Sequence, residues 1–369
     1  MVTDFPFWDN GLDFMEKIKN KYIFLEFLKI FIISSIGFLF LFFIIQILEI
    51  LPQILKSNQN INLKTYFFQS PKIFVQVSPI ITFFTILFLL SEMLKYNEIK
   101  VLEITGISPF KVYRIFLTIG FIITGIVFLI NNNIVPVCLN KIYSFKIINK
   151  INFSSPDIFI YSDKFIFPNS FENFQSSVSL SDKKLMVIKG KNANYSDRKW
   201  KIYNGKYWIL SSKGFIEKEK LFSYISIKIP IEPDTIWKST QPPDFMSLSD
   251  LKKLINKLKQ LNLSPTDFKV GLQEKVAYPF LNFFIILASI PFFLLKEKFS
   301  RFFVISFSSF FSFFCYILYS TGISMANHRK VPILIGVWMV HIFILFITVV
   351  FFFKLQTTKK SDIIKHRKL

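Results

Sequence analysis

Six stretches of this chain each carry about 20 mostly apolar residues in a row, the length that crosses the hydrocarbon core of a bilayer. They lie at about 30–48, 73–93, 115–134, 276–295, 302–323 and 331–353. Overall the 369 residues are 52% hydrophobic, well above an ordinary soluble domain. The unbroken runs decide the class: an α-helical membrane protein with six transmembrane helices.

Charge placement orients those helices. Lys17, Lys19, Lys21 and Lys29 precede the first run, and Lys95, Lys100, Lys111 and Arg114 fall between the second and third. Lys296, Lys298 and Arg301 separate the fourth and fifth, and a basic tail at 354–368 follows the sixth. Short basic segments mark the cytoplasmic side, so both termini are expected inside and residues 135–268 outside. The short loop with His328, Arg329 and Lys330 runs against the majority without reversing it. The net charge of +21 has two readings: attraction to anionic lipids or phosphorylated ligands, or the Lys, Asn, Ile and Phe bias of an AT-rich genome. Residues 1–16 lack the apolar core of a cleavable signal peptide. Cys138 and Cys315 make no disulfide framework, and His328, His341 and His366 have no zinc-ligand spacing. No cofactor is expected.

The outer segment changes character. Strand-like runs fall at 158–161, 164–167, 185–188, 199–203, 206–210 and 224–229, and Asn204-Gly205 predicts a hairpin between two of them. Trp200, Ile202, Tyr207 and Ile209 alternate with polar neighbours, so one face is buried. Several short strands in about 100 residues predict a β-sandwich or jellyroll. Ser247 to Asp250 reads as a capping box, followed by helically spaced Leu251, Leu254, Ile255, Leu258 and Leu261. Ser264-Pro265 then starts a helix that leads into the fourth span.

Between spans two and three, residues 98–105 predict two helical turns. Gly106 suits a left-handed cap, Ser108 an N-cap and Pro109 the first residue of the next helix. A short helix across the inner mouth of a membrane domain, with exposed Glu98 and Glu103, is suited to pairing with basic residues of a soluble partner. The plainer alternative is a charged loop.

These residues resemble the coupling-helix signature of the LptF/LptG lipopolysaccharide-export permeases. The resemblance rests on Glu98, the spacing of Leu102 and Gly106, and the restart at Ser108-Pro109. It extends to Pro71-Lys72 before span two, Pro136 after span three, and 250–279 with Lys275 and Pro279. That returning segment is somewhat more similar to LptG than to LptF. The resemblance covers most of residues 17–355 and implies an inserted periplasmic β-jellyroll or sandwich. The implied layout is an extension at 1–16, spans at 17–135 with a coupling helix at 97–106, a β-domain at 136–263 with a helix at 248–261, spans at 264–355, and a cytoplasmic tail at 356–369.

What the family implies is a multi-pass subunit of a bacterial inner-membrane exporter. A dimer of a separate ABC ATPase couples through Glu98, Leu102, Glu103 and Gly106, consistent with the lack of any G-x-x-x-x-G-K-[ST] motif in this chain. The other implied partners are a sister permease subunit in a heterodimer, a periplasmic jellyroll bridge protein and lipopolysaccharide itself. Ionisable or polar residues in spans are costly and are functional by default. Gln46, Glu49, Lys72, Gln76, Tyr316 and Tyr319 are therefore the candidate lipid contacts, with spans one and five as lateral gates by resemblance. Lys72 has an alternative as a snorkelling anchor, and Gln46 stands where LptG-type members often carry lysine. A different class of function also fits six spans and an outer β-domain: a membrane-anchored assembly or sensor protein that moves no lipid.

Overall fold

A computed structural model describes residues 6–57, 63–104, 109–142, 147–155, 158–179, 184–211, 214–295 and 300–366. The chain divides into two compact units, one formed by residues 1–138 and 273–369 and the other by residues 139–272.

The first unit holds six helices long and apolar enough to cross a membrane, over Lys19–Leu48, Thr65–Lys95, Lys111–Ile142, Thr266–Phe292, Arg301–Asn327 and Ile333–Lys354. They belong to α1 (Pro6–Ser57), α2 (Leu63–Lys95), α4 (Pro109–Leu129) with its continuation α5 (Val135–Ile142), α8 (Thr266–Leu287) with α9 (Ile290–Leu295), α10 (Arg301–Asn327) and α11 (Ile333–His366). A seven-residue helix, α3 (Glu98–Ile104), follows α2. Most of these helices run beyond their apolar runs.

α2 is the hub of this unit. It packs against both α1 and α10, and Ile81, Phe83 and Ile86 at its centre are fully buried. Phe83 meets Phe311 at 5.0 Å, and Phe38 and Phe31 of α1 meet Phe84 and Phe74 edge-on. α1 and α10 keep wide apolar faces outward: Ile36 and Phe40 are about two-thirds exposed, and Phe310 is 72% exposed. A bilayer or an apolar partner must cover such surface.

In apolar surroundings the buried polar groups have to find one another. Asn282 of α8 accepts from Thr82 (2.8 Å) and donates to Ser78 (3.1 Å) of α2 and to the carbonyl of Pro279 (3.1 Å). A π-helical turn, Ile130–Ile134, interrupts the α4–α5 helix. There the Asn131 carbonyl receives the ammonium of the buried Lys275 at 3.0 Å. His341 sets Nε2 2.9 Å from the carbonyl of Ala277, so that nitrogen carries the proton.

The second unit is built on a six-stranded antiparallel sheet: β1 (Ile147–Ser154), β2 (Ile158–Ile166), β3 (Ser170–Ser179), β4 (Leu185–Ser196), β5 (Lys199–Leu210) and β6 (Ile216–Ile227). The strand order is the chain order. The two-sheet sandwich or jellyroll expected from strand density requires crossings between sheets. The described strands instead form one meander joined by hairpins. Helices α6 (Pro233–Ser239) and α7 (Leu248–Gln260) supply Ile236, Leu251, Leu254 and Leu258 to its core. Ser247 caps α7 with the reciprocal bonds of a capping box to Asp250.

One device lets a single sheet enclose a core. The registers of all five strand pairs skip the same line of residues, Lys150, Asp163, Asn173, Lys191, Asn204 and Ser223. On alternate strands this line has left-handed backbone, with φ 58° at Lys150, 49° at Asn173 and 51° at Asn204. Across it the inward parity reverses. β4 buries Ile188 and Gly190 before the line and Ala193 after it, and β3 buries Phe171 before and Phe174 after. Strict alternation would have sent one half of every strand outward; the aligned kinks turn both halves in.

Asn204-Gly205 therefore lies inside β5, a correction to the expected hairpin. The left-handed conformation that Asn favours serves the kink line. Gly205 is needed because a Cβ there would fall against the carbonyl oxygen of Lys189 and 2.8 Å from the Cα of Gly190. The β4–β5 hairpin turns at Asp197-Arg198, with φ 55° and 58° between the paired Ser196 and Lys199. That is a two-residue turn with both central residues left-handed, as a type I′ hairpin requires.

Candidate functional site

The sequence places its strongest functional candidates at the end of α2 and at α3. α2 stops at Lys95, and Asn97 at φ 58° reverses the chain. The Asn97 carbonyl then accepts from Val101 N–H at 3.0 Å, closing the first turn of α3. Glu98 opens that helix, where a carboxylate is favoured by the exposed N–H groups.

α3 has two distinct sides. Ile99 is almost fully buried, and Leu102 and Glu103 are half-buried on the same side. Val101 is 56% and Ile104 85% exposed. Glu98, at the first position of the helix, is itself half-buried. Its carboxylate accepts a hydrogen bond from the Tyr22 hydroxyl of α1 at 3.3 Å. The short helix is thus tied to the first span. Gly106 lies outside the described residues.

A second polar tie crosses the same end of α2. Arg301, at the start of α10, donates to Glu92 at 3.0 Å, with its guanidinium 5.9 Å from the Phe88 ring centre. Sequence reading counted Arg301 as a flanking charge and passed over Glu92 and Tyr22. No spacing along the chain signals bonds between residues 76 or 209 positions apart. The helices bound by these two ties, α1 and α10, both carry broad outward apolar faces.

The candidate lipid residues separate into groups. Gln76 and Tyr319 are drawn together by a residue the sequence did not single out: Tyr278 of α8 donates to the carbonyl of Gln76 at 2.5 Å and meets the Tyr319 ring edge-to-face at 5.0 Å. Tyr319 is buried, so its ring serves packing among α2, α8 and α10, whereas Tyr316 stands half exposed on α10. The Gln76 side chain is itself exposed. Lys72 is half-buried in α2, one residue past Pro71, and Gln46 is half-buried in α1. Glu49 lies in α1 beyond the residues whose side chains are described.

Among the described residues no group of His, Cys, Asp and Glu is placed to hold a metal ion. The arrangement offers polar ties between spans and a small two-sided helix at one end of the bundle, suited to transmitting force.

A family model described as "Lipopolysaccharide export system permease LptF/LptG" matches residues 21–354. The chain belongs to the LptF/LptG family. It is a multi-pass membrane protein of a family that acts as permease in lipopolysaccharide export. The matched family comprises both kinds of subunit. No curated protein matches the chain. Within this LptF/LptG protein, α3 occupies the position between spans two and three from which the coupling role of Glu98 was inferred.

Proposed function

We propose that this protein is one permease subunit of an ATP-driven lipopolysaccharide exporter in a bacterial inner membrane. Both termini are cytoplasmic and the sheet unit is periplasmic. The protein pairs with a sister permease, stands on a dimer of a soluble ABC ATPase, and passes lipid from its sheet unit to a periplasmic jellyroll bridge protein. The layout follows the sequence reading: spans at 17–135 and 264–355, sheet domain at 136–263, tail at 356–369.

The observation that carries this reading is α3. A seven-residue helix contributes little stability of its own, yet this one buries Ile99, presents Val101 and Ile104 outward, and binds the first span through Glu98. An ATPase gripping the outward side would move α3, and with it α1 through Tyr22 and α10 through the neighbouring Glu92–Arg301 pair. Motion of those two helices would open and close the bundle laterally. Lys72, Gln46, Glu49, Gln76 and Tyr316 are the proposed contacts for the lipid headgroup.

Purification from membranes, with mass spectrometry of the bound lipid, tests the reading. The account expects an ATPase, a sister permease and lipopolysaccharide in the same complex. Lys72→Glu should weaken crosslinking of the lipid without disturbing ATPase assembly. A complex holding partners of the sheet domain and no lipid would favour the assembly or sensor role.

A further inference from the structure

We propose that Asn131 and Lys275 form a latch that makes the third and fourth spans move as one body during export. The role in export rests on the reading above; the latch itself stands on the two helices alone.

Prolines set the problem. Each removes the N–H that would bond the carbonyl four residues earlier in an α-helix. Pro71 and Pro79 lie inside α2, and Pro279 inside α8. In apolar surroundings each stranded carbonyl needs another donor. α2 repairs itself: Ser70 donates to the carbonyl of Phe67 at 2.7 Å, and Ser78 to that of Val75 at 2.9 Å. The carbonyl stranded by Pro279 belongs to Lys275. Its donor comes from a different span, the Asn131 amide at the longer distance of 3.5 Å.

The partner helix shows the same pattern in reverse. In the π-turn the Val135 N–H goes to the Ile130 carbonyl, so Asn131 does not receive it. The next residue is Pro136, which has no N–H to give. The Asn131 carbonyl takes the Lys275 ammonium instead, at 3.0 Å. Both residues are buried. Each side chain therefore serves a carbonyl of the other residue that a proline has deprived of its helical donor.

A serine before each proline would suffice for repair, as α2 shows. Val135 and Tyr278 stand in those places, and the Tyr278 hydroxyl donates elsewhere, to Gln76. An ammonium buried in a span is costlier than a serine hydroxyl, and what it adds is a bond between helices. Those helices are the chain's two connections to the second unit, which begins at Leu139 and ends at Leu272. α8 is in turn bonded to α2 through Asn282, and α2 runs on to α3. Movement of α3 thus reaches both connections together.

Two measurements test the latch and its use separately. The first is amide hydrogen exchange of the full chain in bilayer nanodiscs, read over residues 130–138 and 273–279. Lys275→Met should speed exchange about tenfold in both segments, the scale of one charge-assisted hydrogen bond. Faster exchange in 130–138 alone, where the Asn131 carbonyl is stranded, or no change, would reduce the pair to local repair and overturn the latch. Should Lys275→Met not fold, Asn131→Leu is read the same way, with local repair confined to 273–279. The second measurement is lipopolysaccharide released per ATP hydrolysed by the exporter complex. Lys275→Met should keep ATP hydrolysis and lose release about tenfold. Adding Pro136→Ala gives the Asn131 carbonyl a helical donor, so thermal unfolding should recover while release does not. Recovery of release as well, or full release by Lys275→Met, would overturn the positioning role. A wild-type complex that releases no lipid would remove the export reading, and the exchange result would still decide the latch.

Discussion

Trp200 is the residue on which the sheet unit depends most visibly. Its side chain is fully buried, with ring centres of Phe171, Phe174 and Tyr195 at 5.0, 5.1 and 5.5 Å, and its indole N–H donates to the carbonyl of Ile231 at 2.9 Å. Trp200→Ala removes the ring from a packed site, a change that costs about 3–5 kcal/mol. The stranded Ile231 carbonyl, worth about 1–3 kcal/mol when left unpaired, places the expected value at the upper end. Trp200→Phe keeps most of the ring contacts and loses the hydrogen bond, so it should cost about 1–2 kcal/mol. Pulse proteolysis of the full chain across a urea series, scoring cleavage within residues 139–272, reads both. A Trp200→Ala cost below about 1 kcal/mol would refute the packing argument. Equal costs for the two variants would assign the effect to the hydrogen bond instead.

Two further outcomes follow from local geometry. A Cβ on Gly322 of α10 would strike the carbonyl oxygen of Gly336 of α11, whereas one on Gly125 of α4 meets nothing within 4 Å. Gly322→Leu should therefore lower the melting temperature in detergent by an overpacking cost of about 1–3 kcal/mol or more, and Gly125→Leu should leave it nearly unchanged. The hydrogen bonds from Ser247, side chain first and then backbone, hold the Asp250 carboxyl below the usual carboxylate range. A depressed folded pKa stabilises above the unfolded value, near 4, and that stabilisation is lost as the pH falls through the folded value. Asp250→Asn should thus cost a few tenths to about 1 kcal/mol at pH 7, with the gap closing below about pH 4. Urea midpoints at the two pH values check it.

The spans were legible because hydrophobic runs of bilayer length have few other uses, and the α7 capping box because its signals lie within four residues. The sheet was read less well. Asn204-Gly205 carries the local preference for left-handed backbone, but that preference serves either a hairpin or a kink. What decides is the alignment with Lys150 and Asn173 on neighbouring strands. Trp200, Ile202, Tyr207 and Ile209 already held the clue, since the first pair is even and the second odd. A parity change within one strand marks a kink. The ties between helices were beyond reach for another reason: Tyr22–Glu98, Glu92–Arg301 and Tyr278–Gln76 join residues of no special spacing. Helix packing alone brings them together.

The measurement closest to the central claim compares Glu98→Lys with Glu103→Lys, each purified with its ATPase and assayed for retained ATPase and for lipid release. As a dipole partner alone, Glu98 is worth a few tenths to about 1 kcal/mol, and its reversal would leave complex and transport near normal. The coupling account predicts a folded Glu98→Lys protein that loses its ATPase, or hydrolyses ATP without moving lipid. Glu103→Lys, on the Ile99 side of the helix, should be tolerated better. Equal behaviour of the two variants in both assays would contradict the account and remove the coupling role from α3.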